Sequence, residues 1–118
     1  MSLDKHHELK DRTKRFALRV IRMSEAMPNT RAANVIANQI LRSATSMAAN
    51  YRAVGRARSK AEFISKLGIV VEEADETLFW LELLADTGIV KPTKLRELLA
   101  ESAQLVSIFS ASRSTARG

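Results

Sequence analysis

Between Lys60 and Thr87 the chain runs KAEFISKLGIVVEEADETLFWLELLADT, with no proline and with apolar side chains on two contrary sides. Set at about 100° per residue, Ile64, Leu67, Val71, Ala74, Leu78, Leu81 and Ala85 form one unbroken stripe at alternating spacings of three and four. Ile69, Trp80 and Leu83 project to the opposite side, with Phe79 beside them. A helix in a lone bundle needs one apolar stripe and a polar back. The second face therefore calls for a cover of its own, most simply another subunit. The competing reading is that outer apolar residues are ordinary surface. Glu76 stands in the middle of that second face, where a carboxylate is costly unless paired. Either a basic residue of the preceding segment meets it, or it is solvated.

The rest of the chain obeys the same helical period and is divided by its few glycines and prolines. A first helix is expected over about 4–27, with Leu9, Phe16, Val20, Met23 and Met27 on one face. Pro28 disfavours helix at Met27, and Asn29 or Thr30 caps the next helix. This second helix, over 31–54, carries Ala37, Ile40, Ala44, Met47, Tyr51 and Val54 as a seam, with Gly55 as a left-handed stop. SKAE, Ser59 to Glu62, reads as a capping box opening the third helix over 60–87, and Gly88 closes it. Pro92 in a first turn starts a fourth helix over about 92–112, with Leu95, Leu98, Leu105 and Phe109 facing inward. The polar tail SRSTARG is expected to fray. Long helices joined by short connections favour antiparallel neighbours. The expectation is a single all-α domain over 1–118, an antiparallel up-down-up-down four-helix bundle, rod-shaped and oligomeric.

Charge is segregated along this rod. The net charge is +6, and between Glu25 and Glu62 every charged residue is a cation: Arg31, Arg42, Arg52, Arg56, Arg58 and Lys60. Glu72, Glu73, Asp75, Glu76, Glu82 and Asp86 then face Lys66 alone. On the second helix Arg31, Asn34, Asn38, Arg42, Arg52 and Arg56 share a side opposite the seam, and Arg58 and Lys60 follow on the loop. The first helix offers a second basic group, Lys10, Arg12, Lys14, Arg15, Arg19 and Arg22. Such a surface neutralises phosphates without reading bases. It lacks interleaved aromatics, so contact with RNA or DNA would be to backbone and shape. Arginine suits bidentate carboxylate pairing equally well, so the basic residues could instead be consumed within or between subunits.

Catalysis finds little here. There is no cysteine, and the two histidines, His6 and His7, are adjacent, point to different sides of a helix and are expected to be solvated. Zinc sets and the Glu-x-x-His pairs of di-metal bundles are absent, as are a glycine-rich phosphate loop and a serine–histidine–aspartate set. No enzyme activity, cofactor or metal is expected. The charged start lacks a signal peptide's apolar centre, and no run of about 18 apolar residues occurs. A cytoplasmic protein without membrane contact is expected.

Three stretches carry a family resemblance: RSATSMAANYRA, RSKAEFISKL and EEADETLFWLELL. Over Leu41 to Val90 the chain resembles the bacterial four-helix-bundle family that includes proteins encoded in intervening sequences of 23S ribosomal RNA genes. That family is related to the accessory variability determinant of diversity-generating retroelements. Weaker similarity reaches back to Leu9, and the fourth helix matches only as a helix. In SMAAN the chain departs from members that place a proline within the second helix. The resemblance implies a homopentamer with a basic surface, and, from the retroelement branch, binding of nucleic acid and of a nucleic-acid-processing partner, reverse transcriptase. Asn50, Tyr51 and Arg52, then Ser59, Glu62 and Phe63, and finally Glu76 match family motifs that look structural or interfacial. The expected function is a non-enzymatic homo-oligomer holding RNA or DNA through Arg31, Arg42, Arg52, Arg56, Arg58 and Lys60. Its expected subunit interface is Ile69, Glu76, Phe79, Trp80 and Leu83. The alternative is a protein-interaction scaffold whose arginines pair with its own subunits.

Overall fold

Thr30 and Ser59 are the two hydroxyl residues on which the chain turns from extended to helical backbone. The Thr30 side chain accepts from the Ala33 N–H at 3.2 Å and Ser59 from the Glu62 N–H at 3.1 Å, each satisfying a donor that a helix start leaves free. In the computed structural model, which describes residues 3–118, four helices occur in order: α1, Leu3–Glu25; α2, Arg31–Val54; α3, Lys60–Thr87; and α4, Pro92–Arg117. No strand occurs among the described residues.

The stops differ in kind. Gly88 has φ of 72°, the left-handed conformation that an L side chain resists, and ends α3 as its sequence predicts. Gly55 does not. Its φ of −65° and ψ of −10° are right-handed, and the His6 ring packs against it: a Cβ there would come within 2.9 Å of Cε1, so that half-buried ring would have to shift. Two other boundaries move. α1 ends at Glu25, two residues before the expected stop, in a tight turn where Met27 N–H donates to the Ser24 carbonyl. α4 continues to Arg117 through the tail expected to fray. Arg113 helps hold it, donating from Nε to the Ile64 carbonyl at 3.3 Å, with its guanidinium lying over Gly68.

α1 packs on α2 and α4, and α3 packs on α2 and α4, so α1 and α3 are diagonal. Sequence neighbours run antiparallel: His6 meets Tyr51 across α1 and α2, Ser43 meets Thr77 across α2 and α3, and Arg113 meets Ile64 across α3 and α4. The rod measures 45 × 22 × 21 Å. Leu9, Phe16 and Val20 of α1 enter the core beside Ile40, Met47 and Tyr51 of α2. Leu95, Leu98, Leu105 and Phe109 of α4 complete it. Fully burying each such side chain is worth about 1.5–3 kcal/mol in transfer free energy.

The interior stripe of α3 is the main correction to the sequence reading. Leu67, Ala74 and Leu81 are buried as expected, but Val70, Thr77 and Leu84 alternate with them. Ile64, Val71 and Leu78 are only half-buried and Ala85 is exposed. Both choices are heptad seams; they differ by one residue in the second position. Polar Thr77 argues against its own seam until a partner is known. The Thr77 and Ser43 hydroxyls lie 2.8 Å apart, and Thr77 also donates to the Glu73 carbonyl at 2.8 Å. Once satisfied, a buried hydroxyl no longer carries its desolvation penalty.

Candidate nucleic-acid and subunit interfaces

The outer side of α2 holds its arginines because the seam commits the other side to the core. Arg31, Arg52, Arg56, Arg58 and Lys60 are exposed. Arg42 is partly turned toward α3, with Nη1 3.4 Å from a Glu73 carboxylate oxygen and Nη2 hydrogen-bonded to Glu76. Glu76 therefore has its cation, from the basic stretch and within the same chain. Hydrogen bonding to Glu76, with both carboxylates nearby, holds the Arg42 guanidinium above its ordinary pKa. Glu73 goes the other way for a carboxylate: burial pushes its pKa up, and Arg42 only partly opposes this.

The fold also assembles a cationic groove that neither helix shows alone. Lys10 and Lys14 of α1 and Arg52 of α2 line one concavity whose floor is Ala48 and Ala49. The acid in that lining, Asp11, is bound by Arg15 at 2.9 Å. Small floor residues let a polyanion backbone come close to the helix surface. The sequence shows both basic groups but gives no means of placing Lys10 and Lys14 opposite Arg52. Arg12 leaves the basic surface altogether. It makes a two-pronged contact with Glu101 of α4, at 2.7 and 2.8 Å, and also donates to Gln104.

The second apolar face of α3 divides. Ile69 and Phe79 are exposed, Phe79 by 51%. Trp80 and Leu83 are half-buried and pack against the chain's own core. Phe79 sits edge-on to Trp80, with ring centroids 4.9 Å apart. The Trp80 indole N–H is buried without an acceptor among the described residues, an arrangement that costs about 1–3 kcal/mol. Trp80→Phe deletes that donor while keeping most of the apolar ring. The variant is expected to unfold within about 1 kcal/mol of the parent in urea, or to be more stable. A loss above about 2 kcal/mol would mean that the N–H has a partner in solution.

His6 departs from the solvated position expected of it. Its ring lies 5.0 Å from that of Tyr51, itself 4.9 Å from Phe109, and against Gly55. Burial lowers its pKa, with Lys10 and His7 adding to the effect. Tyr51 is pushed up to about 12 by its own burial. His7 is exposed. Among the described residues, no helix is long and apolar enough to cross a membrane.

No curated protein matches the chain. A crystal structure of a protein of unknown function from the S23 ribosomal protein family of Bacteroides thetaiotaomicron superposes with a TM-score of 0.84. It is 34% identical, and the match covers 93% of this chain and 98% of that one. The family model of the 23S rRNA-intervening sequence protein matches residues 5–111, which takes in most of α4 as well as the three stretches of resemblance. With four helices, their connections and nearly the whole length matched, the chain belongs to the 23S rRNA-intervening sequence protein family.

Proposed function

We propose that this protein is a non-enzymatic homo-oligomer that holds RNA or DNA by its phosphates, as an accessory to other nucleic-acid chemistry. The observation that carries the reading is the convergence of Lys10, Lys14 and Arg52 over Ala48 and Ala49, with Asp11 bound by Arg15. Arg31, Arg56, Arg58 and Lys60 extend the exposed positive surface along α2 and its loop, which suits a polyanion better than a point ligand. Assembly is supported by the exposed Phe79 and Ile69 on α3. The resemblance to the retroelement accessory protein makes a pentamer the expected assembly and a nucleic-acid-processing protein the expected second partner.

The test is a salt titration of labelled single-stranded and duplex RNA and DNA. Affinity is expected to fall steeply with salt and to depend little on sequence. Lys14→Ala with Arg52→Ala should weaken binding to all sequences alike and lower the salt slope by about two. Absence of binding at about 50 mM salt would overturn the reading.

A scaffold whose cations serve its own carboxylates has one observation in its favour, the pairing of Arg42 with Glu73 and Glu76. That reading expects Arg52→Ala and Arg56→Ala to change sedimentation rather than nucleic-acid affinity.

A further inference from the structure

At one end of the rod, two adjacent grooves flank the start of α4 and carry opposite charge. Between α1 and α4 lies an open-mouthed cavity of about 480 Å³, floored by apolar residues including Met23, Met27 and Ile89 and rimmed by Arg22, Lys91 and Lys94. Among the described residues, no carboxylate lines it. Between α3 and α4 lies the reverse arrangement: Phe79, Leu83 and Leu99 form an apolar strip beside Glu82 and Asp86. Methionine-lined pockets adapt to an entering side chain, and thioether sulfur packs well on aromatic rings. The half-exposed Phe79 ring, with acids beside it along the helix, is the kind of group such a pocket receives.

We infer that the cavity between α1 and α4 is the receptor for the Phe79 face of a second copy of this chain. Phe79 and Leu83 would enter among Met23, Met27 and Ile89, with Glu82 and Asp86 meeting Lys91, Lys94 and Arg22. This rests on the assembly reading above and supplies its missing half, the surface on which the second face of α3 lands.

The two grooves are unlike surfaces at the same end of the rod, beside the start of α4, so a contact between them is head-to-tail. The grooves are on neighbouring faces, because α1 and α3 both pack on α4 and lie diagonal to each other. Each copy then turns relative to the last. Unlike surfaces meeting with a constant turn make a ring when the turn closes.

Sedimentation of four proteins tests this, with circular dichroism as the folding control. The parent chain is expected to sediment well above its 13.1 kDa monomer mass. Lys91→Glu with Lys94→Glu should weaken assembly by about tenfold or more, and Glu82→Lys with Asp86→Lys should do the same. A chain carrying all four changes should recover assembly, since its two grooves again bear opposite charge. A parent chain that assembles while both charge-reversed doubles sediment unchanged would overturn this inference and leave the assembly reading standing. A folded parent that stays monomeric would overturn both. Weakened doubles with no recovery in the fourfold variant would overturn the pairing of these two grooves.

Discussion

Phe109→Ala is expected to destabilise the protein by about 3–5 kcal/mol, the range for removing a large aromatic side chain from a packed core. Phe109 has no solvent exposure, and its ring lies 4.9 Å from the equally buried Tyr51. Tyr51 in turn lies 5.0 Å from His6, so one column of rings ties α4 to α2 and α2 to α1 at this end of the rod. Alanine removes the far end of that column. The remaining rings are held by helices that cannot close the gap without losing their seams. Domains of this kind are stable by about 5–15 kcal/mol in all, so the variant should show a large fall in urea midpoint. A loss below about 1.5 kcal/mol would show that the bundle collapses around the site and that the column is not what joins these helices.

The second large effect is expected at Arg12, and it depends on pH. α1 and α4 are the least closely packed neighbours in the bundle, and the Arg12 pair with Glu101, about four-fifths buried on both side chains, bridges them. Arg19 and Glu97 add a looser contact at 3.5 Å on the surface. The Arg12 hydrogen bonds hold the Glu101 carboxyl below its ordinary pKa, against the opposing effect of burial. A carboxylate depressed in the folded state stabilises at pH above its unfolded value and loses that contribution as pH falls through the folded value. Arg12→Met keeps the aliphatic stem and leaves Glu101 part-buried without its partner. The expected loss is about 2 kcal/mol at neutral pH. The gap between parent and variant should narrow in acid, as pH falls through the depressed folded-state pKa of Glu101 in the parent and the pair with Arg12 is lost. Glu73 works in the opposite direction, since its raised pKa makes protonation favour the fold, but it is common to both proteins and cancels in the comparison. Urea midpoints at neutral and acid pH provide the measurement. An equal gap at both would show that Arg12 acts by packing alone.

The two predictions draw on different kinds of knowledge. Phe109 and Tyr51 were legible as core from their spacing, and so was nearly the whole seam of α2. That information is local: a residue's angular position on a helix follows from its number, and burial of one side follows from its apolar neighbours. The pair of Arg12 with Glu101 had no such signal. The two residues are 89 positions apart, and Arg12 reads in sequence as one more cation of a basic helix.

Elsewhere the sequence offered two answers, and packing chose between them. On α3, Val71, Leu78 and Ala85 made a more apolar seam than Val70, Thr77 and Leu84, yet the second is the buried one, with the Thr77 hydroxyl satisfied by Ser43 and the Glu73 carbonyl. Gly55 read as a left-handed stop, but its backbone is right-handed, and the His6 ring of another helix packs against it, a neighbour that its sequence position does not reveal.

By itself the sequence determined four helices, their hydroxyl and glycine boundaries, and which side of α1, α2 and α4 faces inward, because these depend on neighbours within one or two turns. Only the tertiary structure decided which cations remain available. It spends Arg42 on Glu73 and Glu76 and Arg12 on Glu101, and it gathers Lys10 and Lys14 beside Arg52. Charge acts across space between segments far apart in the chain, so its partners are set only when the helices are laid side by side.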